Sequence, residues 1–334
     1  MSGAAQIPSF LQQDFGIPSV TGEPSIRDLL PEPVKEPQRV LLLSDVHGNW
    51  PALHAVLAHA QGRYDIIWFL GDMVGYGPYP LECLAFLCDY IPADQWCAGN
   101  HDLGLFDRVP DFTWSGAAGE TIRRHATEIQ DRRPDLWTWA DEHFVLSRGG
   151  PVMRTYGKGQ LVFTHANLEN DMNTYLFPAA TFHTRPNLLR LREFLPQPAE
   201  TGWLLAGHTH IPCLFHLPTQ ADDFTQARPI SIRWGEPVMV NQGHYYINPG
   251  SVGQPRDGNQ RACYVILDTI GQQAIWYRVP YELNKTLMQM NALGYPPYVR
   301  DMLIDGGTER TKQELLPFYQ SEVSGIIALD SKFL

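Results

Sequence analysis

Five short apolar runs each lead into a side chain that can bind a metal, and this arrangement constrains the fold more than any other feature of the 334 residues. Val40 to Ser44 runs into Asp45-Val46-His47-Gly48, Ile66 to Leu70 into Gly71-Asp72, and Gln95 to Ala98 into Gly99-Asn100-His101-Asp102. Leu161 to Thr164 leads into His165, and Trp203 to Ala206 into Gly207-His208-Thr209-His210. Runs of this length, bounded by Gly, Asp or Pro, read as buried strands. Tyr245 to Asn248, Ala262 to Asp268 and Gln273 to Val279 read the same way. Helical patterns lie between the earlier runs, at Pro51 to His59, Pro80 to Tyr90, Glu120 to Gln130 and Asn187 to Phe194. Strand and helix alternate there, so an α/β fold is expected, with helices over the faces of a sheet and a more antiparallel second half. In an open α/β sheet ligands bind beyond the carboxyl ends of the strands, which brings these loops to one crevice.

The donors are carboxylate, amide oxygen and imidazole. That set suits two divalent ions chosen from Mn, Fe, Zn, Ni or Mg and excludes a purely thiolate site. Two neighbouring ions need a shared anion, and Asp72 is the natural bridge. In Asp45-x-His47 and His208-x-His210, strand-like alternation is expected to turn both side chains of each pair to one face. Glycines at 48, 71, 99 and 207 let the backbone approach the ions.

The rest of the chain narrows the class of function. A formal net charge of −11 argues against a broad grip on nucleic-acid backbone, so any phosphate must be held locally. Cys83, Cys88, Cys97, Cys213 and Cys263 form no CxxC pair, which fits a reducing cytoplasm. No apolar run approaches the roughly 18 residues needed to span a bilayer, and the N-terminus lacks the marks of a signal peptide. Residues 1–38 read as an N-terminal extension, 39–282 as one domain with a polar, Pro-interrupted insertion at about 217–243, and 283–334 as a C-terminal helical extension. The last carries helical patterns at Leu283 to Leu293 and Pro297 to Ile304. Insertion and extension are each either an active-site lid or surface ornament.

The ordered set D-x-H, G-D, G-N-H-D, H and G-H-x-H, from Asp45 to His210, resembles the calcineurin-like metallophosphoesterases. The likeness covers about Arg39 to Tyr281. It includes the Asn248-Pro249-Gly250-Ser251-Val252-Gly253-Gln254-Pro255-Arg256 segment of a bacterial and archaeal branch loosely likened to diadenosine polyphosphate hydrolases. The resemblance implies a central mixed β-sandwich flanked by helices in an αββα order. It implies one ion on Asp45, His47, Asp72 and His210, the other on Asp72, Asn100, His165 and His208, with His101 catalytic. The implied reaction is hydrolysis of a phosphomonoester or phosphodiester on a small, nucleotide-like substrate, by hydroxide held between the ions, with His101 protonating the leaving alkoxide and Asp102 or a neighbouring carboxylate orienting it. One departure matters. Many relatives carry Asp-Arg-Gly after the G-D motif, whereas here Gly71-Asp72 is followed by Met73-Val74-Gly75, so either Arg256 supplies the phosphate-gripping charge or the substrate is a diester.

Each residue also has a plainer reading. Arg256 is a surface cation in a Gly and Pro rich turn, or it binds phosphate; Asn100 serves as ligand and substrate contact, or as a turn residue; Asn167 reads as a turn residue. Trp50, Tyr76 and Tyr79 read as core edge before they read as stacking surfaces. His54, His59, His125, His143, His183, His216 and His244 read as structural or solvated. The competing class is a metal-binding interaction scaffold of the same fold that has lost catalysis.

Overall fold

Val40, Leu41, Leu42 and Leu43 are consecutive, so a strand made of them must be covered on both faces, and the fold gives each face its own core. Val40 and Leu42 point into one apolar cluster, Leu41 and Leu43 into another. The computed structural model describes residues 24–32, 34, 38–109, 116–147, 152–156, 159–169, 172, 174–176, 184–195 and 200–307. In chain order they form α1 (Ile26–Leu29), β1 (Arg39–Leu43), α2 (Trp50–Ala60), β2 (Ile66–Phe69), α3 (Pro80–Tyr90) and α4 (Asn100–Gly104). There follow α5 (Gly116–Arg132), α6 (Pro134–Ser147), β3 (Val152–Tyr156), β4 (Gly159–Thr164), α7 (Thr184–Phe194), β5 (Thr201–Ala206) and β6 (Cys213–Leu217). The last are β7 (Arg228–Pro229), β8 (Val238–Met239), β9 (Gly243–Asn248), β10 (Ala262–Asp268), β11 (Gln273–Val279), α8 (Leu283–Ala292) and α9 (Pro297–Ile304).

Two mixed sheets result, a five-stranded one in the order β2-β1-β10-β11-β8 and a six-stranded one in the order β3-β4-β5-β9-β6-β7. β1 and β2 run parallel, with Leu42 opposite Trp68, and β4, β5 and β9 form a parallel run in the other sheet. The sheets share a core of Trp68, Val265 and Trp276 from one and Phe163, Trp203 and Ile247 from the other. On the outer face of the first sheet, Val56, Leu84, Ile129 and Phe144 bring α2, α3, α5 and α6 onto Leu41, Phe69 and Tyr264. On the outer face of the second, Leu188 and Leu191 of α7 cover Val162, Leu204 and Tyr246. The layers are therefore helix, sheet, sheet, helix, as expected.

Several local expectations are corrected. Gln95 to Ala98 is not a strand but a single parallel bridge between Trp96 and Phe69, after which the chain turns into α4. α6 was not among the expected helices; Pro134 opens it at its first position, where proline is tolerated. The segment 217–243 is built into the sandwich. Ile230, Ile232, Trp234 and Val240 pack into the inter-sheet core, and its two-residue strands β7 and β8 pair with β6 and β11 in different sheets. α8 and α9 lie over the Tyr76 loop, where Tyr76 packs with Met290, Tyr295, Val299 and Leu303. Among the described residues no helix is long and apolar enough to cross a membrane.

Candidate metal centre

β1 delivers Asp45 and His47, β2 delivers Asp72, β4 delivers His165, and β5 delivers His208 and His210. Their ligand atoms fall into two groups, Asp45, His47, Asp72 and His210, and Asp72, His165 and His208; within each group the atoms lie within 4.8 Å of one another. Asp72 belongs to both. Asn100, at the start of α4, joins the second group, with its Oδ1 3.1 Å from Nε2 of His165. All seven side chains, and His101, are at most 3% exposed.

The backbone fixes which ring nitrogens face inward. Nδ1 of His47, His165 and His210 meets the carbonyls of Val74, Leu70 and Gln254 at 2.9, 2.7 and 2.5 Å. A carbonyl only accepts, so each Nδ1 carries a proton and donates, which turns Nε2 inward and leaves a lone pair on it wherever the ring is neutral. Nε2 of His47 lies 3.2 Å from Nε2 of His210, and Asp45 Oδ1 lies 3.2 Å from the latter. Asp45 Oδ1 and Asp72 Oδ2 are buried without a hydrogen-bond partner among the described residues, and His208 turns Nδ1 toward them, 3.2 Å from Nε2 of His165. Converging acceptors with no donor between them are costly in a protein interior, and a divalent cation in each group relieves the conflict. The residues present fit a pair of hard or borderline ions.

In the metal-free chain a proton takes part of that role. Burial opposes charge on His165, yet the carboxylates of Asp72 and Asp45 override it and raise its pKa to about 9. Burial, followed by the charge on His165, holds His208 well below the usual histidine range. Burial and then the charge on Asp72 push Asp45 up to about 7.

The loops that carry these ligands are strained. Asp45, His47, Asp72, His208 and His210 all have left-handed φ, between 49° and 63°. Such a backbone costs an L-residue roughly 1–2 kcal/mol. Strand-like alternation therefore does not orient the pairs, and His208 and His210 serve different groups. Backbone bonds offset the strain: Asp45 N–H donates to Gly71 O at 2.9 Å, His47 N–H to Asp72 O at 3.0 Å and Gly48 N–H to Met73 O at 2.8 Å. Gly99 has to be glycine, because a Cβ there collides with Asp72 Oδ1.

Asp102 does not orient His101. Its carboxylate accepts from the backbone N–H groups of Asp72, Met73, Val74 and Gly99, at 2.8 to 3.2 Å, and so holds the Asp72 loop. The His101 ring lies 4.7 Å from that of His47 and 4.8 Å from that of Tyr76, and burial lowers its pKa to about 4. Arg256 reaches the same rim. Its guanidinium lies 3.5 Å from the Tyr76 hydroxyl and donates to Tyr175, whose ring stacks on His208 at 4.1 Å.

The profile of the calcineurin-like phosphoesterase family matches residues 38–239. The chain belongs to that family. An uncharacterized protein of Methanocaldococcus jannaschii is 27% identical over 277 residues, 80% of this chain and 98% of its own length. A symmetrical bis(5'-nucleosyl)-tetraphosphatase of Yersinia pestis is 30% identical over 129 residues, which span 38% of this chain and 41% of that protein. Among solved structures, a metallophosphoesterase from Sphaerobacter thermophilus superposes with a TM-score of 0.61 at 29% identity, covering 81% of this chain and 100% of that one.

In this metallophosphoesterase the other singled-out residues fall outside the cluster. Trp50 packs on Phe86, Tyr79 donates to Lys285 O, and Asn167 Oδ1 accepts from Glu169 N–H in a turn. His125 is structural: Nδ1 accepts from Gly75 N–H and Nε2–H donates to Gly77 O, clamping the Tyr76 loop. His54, His59, His143, His216 and His244 lie away from the cluster, and His183 lies outside the described residues. Sequence reasoning missed Tyr175, which has no motif around it, and the supports Ser251 and Asn248, which bond Asp45 O and Gly207 O at 2.8 and 2.9 Å.

Proposed function

We propose that this chain is a hydrolase that uses two divalent cations to cleave a phosphomonoester or phosphodiester in a small, nucleotide-like substrate. The observation that carries the reading is the convergence of inward Nε2 lone pairs and unpartnered carboxylate oxygens on two adjoining points. One ion would sit on Asp45, His47, Asp72 and His210, the other on Asp72, Asn100, His165 and His208. When bound, such ions acidify water and offset charge on phosphate oxygens.

The chain's own residues then have distinct tasks. His101 gives a proton to the leaving oxygen. Its low pKa reflects burial first, and then the positive charges of Arg256 and His165. Neutralising Arg256 with an anionic substrate moves His101 toward the protonated form that a general acid requires. Arg256 holds the phosphate in place of the arginine absent after Gly71-Asp72. The tetraphosphatase relative supports a nucleotide-like substrate, and five free cysteines support a cytoplasmic setting.

The test compares p-nitrophenyl phosphate with bis-p-nitrophenyl phosphate in the presence of manganese, using Asp72→Asn as the control. Turnover of either ester well above the control is expected. Turnover no higher than the control, with each of the candidate metals, would overturn the reading and favour a binding scaffold.

A further inference from the structure

Arg256 poses a problem of charge. Its guanidinium is only partly exposed and sits near Asp45, His47, His101, His208 and His210, yet among the described residues it makes no ion pair. It meets two phenol hydroxyls, those of Tyr76 and Tyr175. Phenols satisfy N–H donors without neutralising the cation, and a guanidinium has five donors, so some are left for a further partner. A partly buried cation without a counter-ion has lost solvation that an anion at its remaining donors would restore.

Both tyrosines are themselves fixed. The Tyr76 ring is gripped by Met290, Tyr295, Val299 and Leu303, while its backbone N–H donates to Thr121 Oγ1 at 3.2 Å. The Tyr175 ring lies flat on His208, at an interplanar angle of 17°, and the next residue, Leu176, offers its carbonyl to the Tyr246 hydroxyl at 3.3 Å. The Arg256 backbone is held from both sides, with its N–H donating to His210 O at 3.3 Å and Gly258 N–H donating to Gly306 O at 2.9 Å. The cation is thus aimed by its surroundings before any ligand arrives, which is the condition for tight anion binding.

We infer that Tyr76 and Tyr175 are positioning residues that hold the Arg256 guanidinium over the metal cluster as a clamp for a terminal, doubly charged phosphate, so that the site prefers monoesters. The inference deepens the phosphoester reading and rests on it. A terminal phosphate has three non-bridging oxygens sharing close to two charges and a diester has two sharing one, so the diester gains less from the clamp.

The test uses the full-length, metal-loaded protein with inorganic phosphate as the probe, titrated by calorimetry, alongside kcat and KM for the mono- and bis-p-nitrophenyl esters. Tyr76→Phe and Tyr175→Phe keep both rings and remove only the hydroxyls. Each is expected to weaken phosphate binding about five- to tenfold and to raise the monoester KM more than it lowers kcat, with metal content unchanged and little change for the diester. In an Arg256→Ala background the same changes should have no further effect, because they act through the arginine. Phosphate binding that is absent in the wild type, unaltered in both single variants, or equally weakened in the Arg256→Ala background would overturn the inference. A wild type that binds phosphate through this clamp but cleaves neither ester would instead sink the hydrolase reading alone.

Discussion

Oδ2 of Asp72 lies 3.4 Å from Nε2 of His165, at the point where the two groups of ligands meet. The other oxygen, Oδ1, accepts the backbone N–H of His101 at 2.8 Å, so the carboxylate cannot swing away. An amide in its place has no charge and a single acceptor. Asp72→Asn is therefore expected to fold but to bind both ions more than about 100-fold more weakly. Elemental analysis after dialysis, with far-ultraviolet circular dichroism for the fold, checks this; two ions held at wild-type affinity would count against a bridging role.

Metal binding should release protons. With a pKa raised to about 9, His165 is charged at neutral pH in the metal-free chain, whereas a ligating imidazole must be neutral. Below about pH 9 each ion entering the second group displaces this proton, so affinity falls as pH falls. Calorimetric titrations at pH 7 in buffers of different ionisation enthalpy should report release of about one proton from this ring, fading above pH 9.

Asp102 should matter for stability as much as for catalysis. Four backbone N–H groups converge on its carboxylate, and Asn presents an NH2 where an acceptor is needed. Asp102→Asn is expected to destabilise the metal-free protein by about 3 kcal/mol in urea unfolding. Because the Asp72 loop loosens with it, metal affinity falls as well.

His101→Ala separates catalysis from ligation. Metal content should match the wild type, and kcat should fall by about 10² to 10⁴ for substrates with alkoxide leaving groups. With p-nitrophenolate, which leaves without a proton, the loss should be much smaller. A loss of equal size for both leaving groups would argue against proton donation.

The cluster was legible in the sequence because each ligand follows directly on an apolar run, and both the run and the polar residue ending it are local features. The αββα order came with the family resemblance; the unbroken apolar run Val40 to Leu43 by itself asks only for cover on both sides of its strand, which the two cores supply. Asp102 was misread because its four partners come from the loop beside Asp72, a contact that no spacing along the chain announces. Tyr175 was missed for the same reason, since only the fold brings it onto His208. The D-x-H pair was read with the right result and the wrong cause, because its geometry comes from left-handed backbone rather than from a strand.

Asp45, His47 and Asp72 hang from the sheet that contains β1 and β2, while His165, His208 and His210 hang from the one that contains β4 and β5. Each ion would therefore rivet the two layers of the sandwich together. Cation occupancy becomes a gauge of whether the halves of the molecule have docked in register. A substitution deep between the sheets, at Trp276 for instance, would announce itself as a lost ion before any strand came apart.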